Sequence, residues 1–256
     1  LGLTEVPTSV IVLGGGVIGV DFASFFRSFG ASVTIIEALP RLGPAEEESS
    51  SKALERAFRK RGIVSRTNAR FASVAQDDAS VTVSLEDGST LSADLLLVAV
   101  GREPVSDGMG FQEAGVLTDR GFVPTDERLR TNFPGVYAVG DLVPGLQLAH
   151  RGFAHGVFVA EDIASLNPAP VLDRNIPKVT YCDPEIASVG LPEAAARAEH
   201  GEVRAYEYNL GGNGKSQILG TSGFVSGVRV VDGPGVGIPT VSYTPLRAHE
   251  TVIDLV

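Results

Sequence analysis

The sequence predicts an α/β protein: a doubly wound parallel sheet with an antiparallel meander set into it, then a loop-rich segment and a smaller α+β module. Three observations lead there. Short β-branched runs alternate with helical periods from Ser9 to Arg61. Between Phe71 and Val100 that alternation gives way to short strand patterns with Asp87 and Gly88 placed to turn a hairpin. A proline-rich stretch, Asn167 to Pro177, then reads as a boundary before short strands and one more helix.

Each element follows from its residues. Ser9 to Leu13, SVIVL, is an apolar run ending in glycine, as expected of a buried parallel strand. Ile18, Phe22, Phe25, Phe26 and Phe29 recur three or four apart and predict a helix whose aromatic stripe packs on the sheet, with Gly30 as its stop. Ser32 to Glu37 is the second strand, and Ala45 to Arg61 is polar and helical, closed by Gly62. The meander is expected to comprise FASVAQ, SVTVSLEDGSTL and ADLLLVAV. Beyond GREPVSDG the chain is loop-rich to Pro134, then gives an expected strand, GVYAVGD, and a helix from about Ala149 to Leu166. A last helix is expected from Pro192 to His200.

Composition narrows the function. With 256 residues and 43% hydrophobic content, the chain can bury a sizeable core. A formal charge of −10 works against polyanion binding, which needs clustered Lys and Arg, so neither nucleic acid nor anionic membrane is an expected partner. The longest apolar run, Leu95 to Val100, is far short of the roughly 20 residues that span a bilayer. A single cysteine, Cys182, excludes an internal disulfide and fits a reducing compartment, the cytoplasm. Its default reading is a buried structural thiol. The opening LGLTEVPTSV carries neither an initiator Met nor the regions of a signal peptide, and is read as lying inside a longer protein.

Gly14, Gly16 and Gly19 form G-x-G-x-x-G between a strand and a helix, with Glu37 at the roughly 20-residue spacing of a ribose-binding acid. Gly14 permits the tight turn, Gly16 lets backbone approach a pyrophosphate, and Gly19 allows close helix–strand packing. Gly15, Val17 and Ile18 complete the loop, where the helix N-terminus offers N–H groups to phosphate. This is a Rossmann-like cradle. The bland alternative for the glycines is a plain strand-to-helix loop. Glu37 favours NAD over NADP, since its carboxylate accepts ribose hydroxyls and repels a 2′-phosphate; the alternative is a solvated strand-end acid. Arg41 is read as surface. Asp141 ends an apolar run through Gly140, and either presents its carboxylate to a sugar or polyol hydroxyl or is a structural turn aspartate. His150 and His155 open the next helix, but no ligand shell surrounds them in sequence, so no metal site is expected.

Four stretches, VIVLGGGVIGVDFAS, VAVGREP, GVYAVGDLVPGLQLAHRGFAHG and IPKVTYCDPEIASVGL, stand in order and resemble the pyridine nucleotide-disulfide oxidoreductases, most closely the dihydrolipoyl dehydrogenase branch of actinobacterial type. The resemblance spans roughly Leu3 to Ile238. It implies a flavoprotein using FAD and NAD, with an NAD domain at 1–104, the C-terminal segment of an FAD domain at 105–170 and part of a dimerisation domain at 171–238. It also implies a homodimeric parent acting on a dihydrolipoamide-type substrate. Asp141 would then hold the FAD ribityl chain, with Leu148, Ala149 and His150 beside the flavin. Gly101 and Arg102 match the turn flanking NAD, and Phe71 a position near the adenine.

Departures matter as well. Asp21 stands where the family usually has a glutamate near the nicotinamide, and Val105 replaces the usual Asn of the turn after Gly101. The family's first FAD glycine motif, its C-x4-C redox pair and its C-terminal His-Pro segment do not occur in this sequence, so no catalytic residue is assigned and the chain alone is expected to be inactive. Residues 239–256 abandon the family pattern, resemble translated adapter sequence and are expected to be a non-native, poorly packed tail; His249 and Glu250 are not the family's catalytic pair. The rival readings are another flavin-dependent disulfide or mercuric reductase, and a non-catalytic nucleotide-binding module.

Overall fold

The structure, a computed structural model, describes residues 2–220, 223–230 and the backbone of 241–244. It gathers Leu1–Gly101 and Val179–Val256 into one compact unit and Arg102–Lys178 into a second.

In the first unit, β1 (Ser9–Leu13), α1 (Val17–Ser28), β2 (Ser32–Ile36), α2 (Glu48–Lys60) and β3 (Val64–Arg66) alternate as expected, with β3 added to the sequence reading. β4 (Phe71–Gln76), β5 (Val81–Leu85) and β6 (Thr90–Ala93) form the antiparallel meander, and β7 (Leu95–Val98) follows. The parallel sheet has the order β3-β2-β1-β7. ADLLLVAV therefore does not close the meander: β7 pairs parallel with β1, Val10 opposite Leu95. A run of three leucines is apolar on both faces, which suits a doubly covered sheet rather than a half-exposed hairpin. The faces of β1 divide the core. Val10 and Val12 pack with Val20, Ala23, Phe26, Leu54 and Phe58, while Ile11 joins Ile36, Val83, Leu85 and Ala93.

Helix α1 buries only part of the expected aromatic stripe: Phe26 enters the core and Phe22 packs against it, while Ile18, Phe25 and Phe29 do not. Gly19, Val20, Ala23, Ser24 and Phe26 are its buried residues, whereas Phe25 and Phe29 are 50% and 59% exposed. Small side chains let the helix axis approach the sheet. The displaced rings pack on each other instead, Phe25 tilted by 49° against Phe29 at 4.8 Å between centroids.

The second unit has little regular structure. GVYAVGD forms no strand: Tyr137 makes an isolated bridge to Arg130, and Gly140–Leu142 is a 3-10 turn. A strand needs a neighbour for its N–H and C=O groups along its length, and here only residues 129–131 run beside it, through the Thr131 N–H on the Val136 carbonyl and the Ala138 N–H on the Leu129 carbonyl. Helix α3 (Ala149–Ile163) covers a small core of Val116, Val123, Leu129, Ala138, Val143 and Phe158. Arg128 and Arg130 both pair with the buried Asp162 side chain, and the Arg128 guanidinium lies over the Phe158 ring.

The remainder of the first unit begins at β8 (Lys178–Thr180), whose first residue closes the second unit, and continues through β9 (Ile186–Val189), α4 (Glu193–His200), β10 (Val203–Asn209), α5 (Gly214–Leu219), β11 (Phe224–Val230) and β12 (Val241–Thr244). These strands form one sheet, β10-β11-β12-β9-β8. Although residues 239–256 are expected to lie outside the fold, the backbone of β12 pairs with both β11 and β9. Residues 239–240 and 245–256, including His249 and Glu250, lie outside the described residues. Cys182 and Ile186 enter the same core as β1 and α1. Arg61 bonds Ser24 Oγ and the Asp183 carbonyl at 2.7 and 2.6 Å, while Glu47 Oε2 accepts the Glu193 N–H at 2.7 Å. These two clamps fix the C-terminal sheet to the α/β layer.

Candidate functional site

The glycine loop is shaped by close approaches at two of its positions and left open at a third. Gly14 has φ +106°, and a Cβ there would come within 2.3 Å of the Ala99 carbonyl oxygen. A Cβ on Gly19 would come within 1.9 Å of the Gly14 oxygen, so α1 rests directly on the turn. At Gly16 a Cβ would meet nothing within 4 Å. Gly16 is the N-cap of α1 and makes no side-chain cap bond, and no acidic residue occupies the first turn, so its N–H groups carry no side-chain cap. Val17 and Ile18 follow in that first turn, each 38% exposed. The cradle therefore has the room and the polarity that a pyrophosphate requires.

Glu37 directly follows β2 and is buried. Its Oε2 accepts the Gly15 N–H at 2.6 Å and its Oε1 accepts the Leu39 N–H at 2.7 Å. It is thus neither a solvated strand-end acid nor a freely moving one. Two backbone donors aim the carboxylate across the glycine loop, and a carboxylate retains further lone pairs for hydroxyl donors. Arg41, read as surface, bonds the Pro44 carbonyl at 2.9 Å.

Asp21 lies on α1, one turn beyond the loop. Burial pushes its carboxyl up to about 6, opposed by hydrogen bonds from the Cys182 and Tyr181 backbone. Its Oδ1 is buried without a hydrogen-bond partner among the described residues. Cys182 itself is buried, with Sγ 3.0 Å from the Pro184 oxygen, and burial raises its thiol well above the ordinary range. Such a thiol is inert at neutral pH. Phe71 opens β4 and is 38% exposed, and Gly101 ends the first of the two stretches that make up the first unit.

In the second unit, Asp141 sits in the 3-10 turn after Gly140, which has φ +68°. Its Oδ2 lies 3.5 Å from Arg102 Nη2. The sequence resemblance assigns these two residues to different cofactors, and the structure pairs them. Leu148 is the N-cap of α3, Ala149 its first residue, and His150 Nε2 donates to the Pro177 carbonyl at 2.6 Å. Sequence reasoning missed Arg151. Buried, it bonds Asp173 Oδ1 at 2.6 Å and the Pro144 carbonyl at 2.7 Å. Its signal was spacing: Arg151, His155 and Phe158 share one helix face, and two polar residues on a core-facing stripe imply buried bonding.

A glycine turn, an adjoining helix N-terminus and an anchored strand-end acid on a parallel sheet define a dinucleotide-binding α/β protein. Residues 1–156 match the pyridine nucleotide-disulphide oxidoreductase family, and residues 176–231 match that family's dimerisation domain. The chain belongs to this family. It is 43% identical over 228 residues to a dihydrolipoyl dehydrogenase of Chlorobaculum tepidum, covering 87% of this chain and 49% of the relative. A dihydrolipoyl dehydrogenase of Mycobacterium tuberculosis is 40% identical over 227 residues, with 86% and 49% covered. Among solved structures, LpdA from Mycobacterium tuberculosis superposes with a TM-score of 0.87 at 28% identity, over 95% of this chain and 53% of that one. The flavoprotein disulfide reductase RclA from Escherichia coli gives 0.86 at 25% identity, over 99% and 58%. The chain spans about half the length of the curated relatives it matches. Among the described residues, no helix is long and apolar enough to cross a membrane.

Proposed function

We propose that the full-length protein carrying this chain is a dihydrolipoyl dehydrogenase, moving electrons from a dihydrolipoamide-type dithiol through FAD to NAD. The observation that carries this reading is the glycine cradle with Glu37 anchored across it, joined to the names of its relatives. Flavin and nicotinamide, when bound, supply the redox chemistry. The chain's own residues hold and orient them. Gly14, Gly15, Gly16, Val17, Ile18 and Gly19 would receive the pyrophosphate, and Glu37 would take the adenosine ribose hydroxyls and disfavour a 2′-phosphate. Phe71 would serve the adenine, Gly101 and Arg102 the dinucleotide, and Asp21 the nicotinamide. Asp141, with Leu148, Ala149 and His150, would hold the flavin polyol chain.

In this reading 1–104 is the NAD domain, 105–170 the C-terminal part of the FAD domain and 171–238 part of a dimerisation domain, and the parent is a cytoplasmic homodimer. The match to the dimerisation domain supports the last point. The test is to purify the full-length protein, record its flavin spectrum and assay NAD reduction by dihydrolipoamide. Bound FAD with turnover on NAD and little on NADP is the expected result. A flavin-free protein, or one that oxidises NADPH and ignores dihydrolipoamide, would overturn the proposal.

A further inference from the structure

Within the second unit, the backbone of Gly140 is gripped from both sides by helix α3. Its N–H donates to His155 Nδ1 at 3.2 Å, and its carbonyl accepts Arg151 Nη1, also at 3.2 Å. A Cβ on Gly140 would lie 3.6 Å from Gly152 Cα, so the turn sits directly against the helix between those two side chains. The next residue is Asp141. Arg151 does more than this one task, since it also bonds the Val143 and Pro144 carbonyls and Asp173. His155 is fully buried, and the Gly140 N–H is the bond its Nδ1 makes.

We propose that His155 is a positioning residue for Asp141: its Nδ1 lone pair holds the Gly140 N–H, and through that turn it sets where the carboxylate meets a flavin polyol hydroxyl. The inference rests on the reading of Asp141 given above. For Nδ1 to accept, the ring must be uncharged with any proton on Nε2. Burial and the neighbouring Arg151 hold the His155 pKa below its ordinary value, while Asp173, facing the same cluster, opposes them. Protonation would set an N–H against the Gly140 N–H and release the turn. An asparagine at this position carries an oxygen near the place of Nδ1, and that oxygen does not titrate.

Two variants test the role. In His155→Leu, amide exchange at Gly140 should rise roughly tenfold, the loss expected of one hydrogen bond, while β1 amides stay at parental rates. His155→Asn should keep parental protection and lose the rise in Gly140 exchange expected of the parent when the pH falls below the ordinary histidine range. In the full-length protein, FAD affinity should fall roughly tenfold in His155→Leu and hold within about threefold in His155→Asn. A His155→Leu protein with parental melting and unchanged Gly140 exchange would overturn the inference, as would an Asn variant that behaves like Leu at about pH 8. Asp141→Ala separates the two readings. If it leaves FAD affinity intact, the flavin reading of Asp141 has failed; if it weakens FAD while His155→Leu does not, the positioning role has failed.

Discussion

Glu37 and Gly15 stand 22 residues apart in sequence, and the carboxylate of one accepts the N–H of the other at 2.6 Å. The bond ties the acid after β2 to the glycine loop after β1, the two places that in the proposed function would take the adenosine ribose and the pyrophosphate. Because Gly43 N–H also bonds the Gly15 carbonyl at 2.8 Å, this single glycine is held on both its polar groups.

Replacing Glu37 by Ala should therefore act twice. Removing a charge-assisted acceptor from two backbone donors should cost about 1.5–3 kcal/mol of stability. NAD should bind more weakly, and the preference over NADP, about 2–4 kcal/mol in the parent from the strength of charged hydrogen bonds, should close. Thermal melts and calorimetry with both dinucleotides, run well below the melting point, check the two effects separately. A variant that keeps the parental preference would leave Glu37 with a purely structural role.

Gly16 and Gly19 should respond oppositely to one methyl group. Gly19→Ala drives Cβ into the Gly14 carbonyl and should cost about 3 kcal/mol or abolish folding. Gly16→Ala meets no atom of the described residues within 4 Å and should melt close to the parent, yet weaken NAD by roughly tenfold where backbone and pyrophosphate must approach. Melting curves beside NAD titrations decide this. Equal melting of the two variants would contradict the close packing of α1 on the turn.

Asp21 gives a pH-dependent stability. Its folded pKa, about 6, is raised above the unfolded value of 3.8, so the native state binds the extra proton between these limits and stability falls as pH rises from about 4 to about 6. Asp21 is only partly buried, and solvent screens part of this effect. Asp21→Asn should accordingly stabilise the chain by about 1–2 kcal/mol at pH 7, with the gain vanishing below about pH 4. Urea melts across that range measure it, and a gain that is constant with pH would remove Asp21 from the titration.

The chain alone should show no dihydrolipoamide turnover. Dithiol oxidation by disulfide exchange needs two thiols, and this sequence holds one cysteine, buried and held protonated. Cys182→Ser should leave NAD affinity unchanged and cost roughly 1–3 kcal/mol of stability, the penalty of a buried hydroxyl in an apolar core. Steady lipoamide-linked NAD reduction by the isolated chain would contradict the expectation.

Much of the first unit was legible from local pattern. Val10 to Val12 announce a buried strand, Gly14 to Gly19 a turn onto a helix, and Asp87 and Gly88 a hairpin, because each depends on residues a few positions apart. The same pattern could not say which side of α1 faces the sheet. The sequence reading placed all of Ile18, Phe22, Phe25, Phe26 and Phe29 on the sheet, yet the close approach at Gly19 and Ala23 rotates Ile18, Phe25 and Phe29 out and keeps only Phe22 and Phe26 at the core. Nor could it assign ADLLLVAV, whose parallel pairing with β1 joins residues more than 80 apart.

What the sequence determined by itself was the family, the glycine cradle and the spacing of Glu37, all of which are carried by residue identity along the chain. Tertiary structure alone decided the anchoring of Glu37 on Gly15 and Leu39, the pairing of Arg102 with Asp141, and the grip of Arg151 and His155 on Gly140. The reason is physical. A hydrogen bond between distant residues leaves no periodicity in sequence, since its partners are brought together by the packing of whole elements, and only that packing reveals which buried polar groups must satisfy one another.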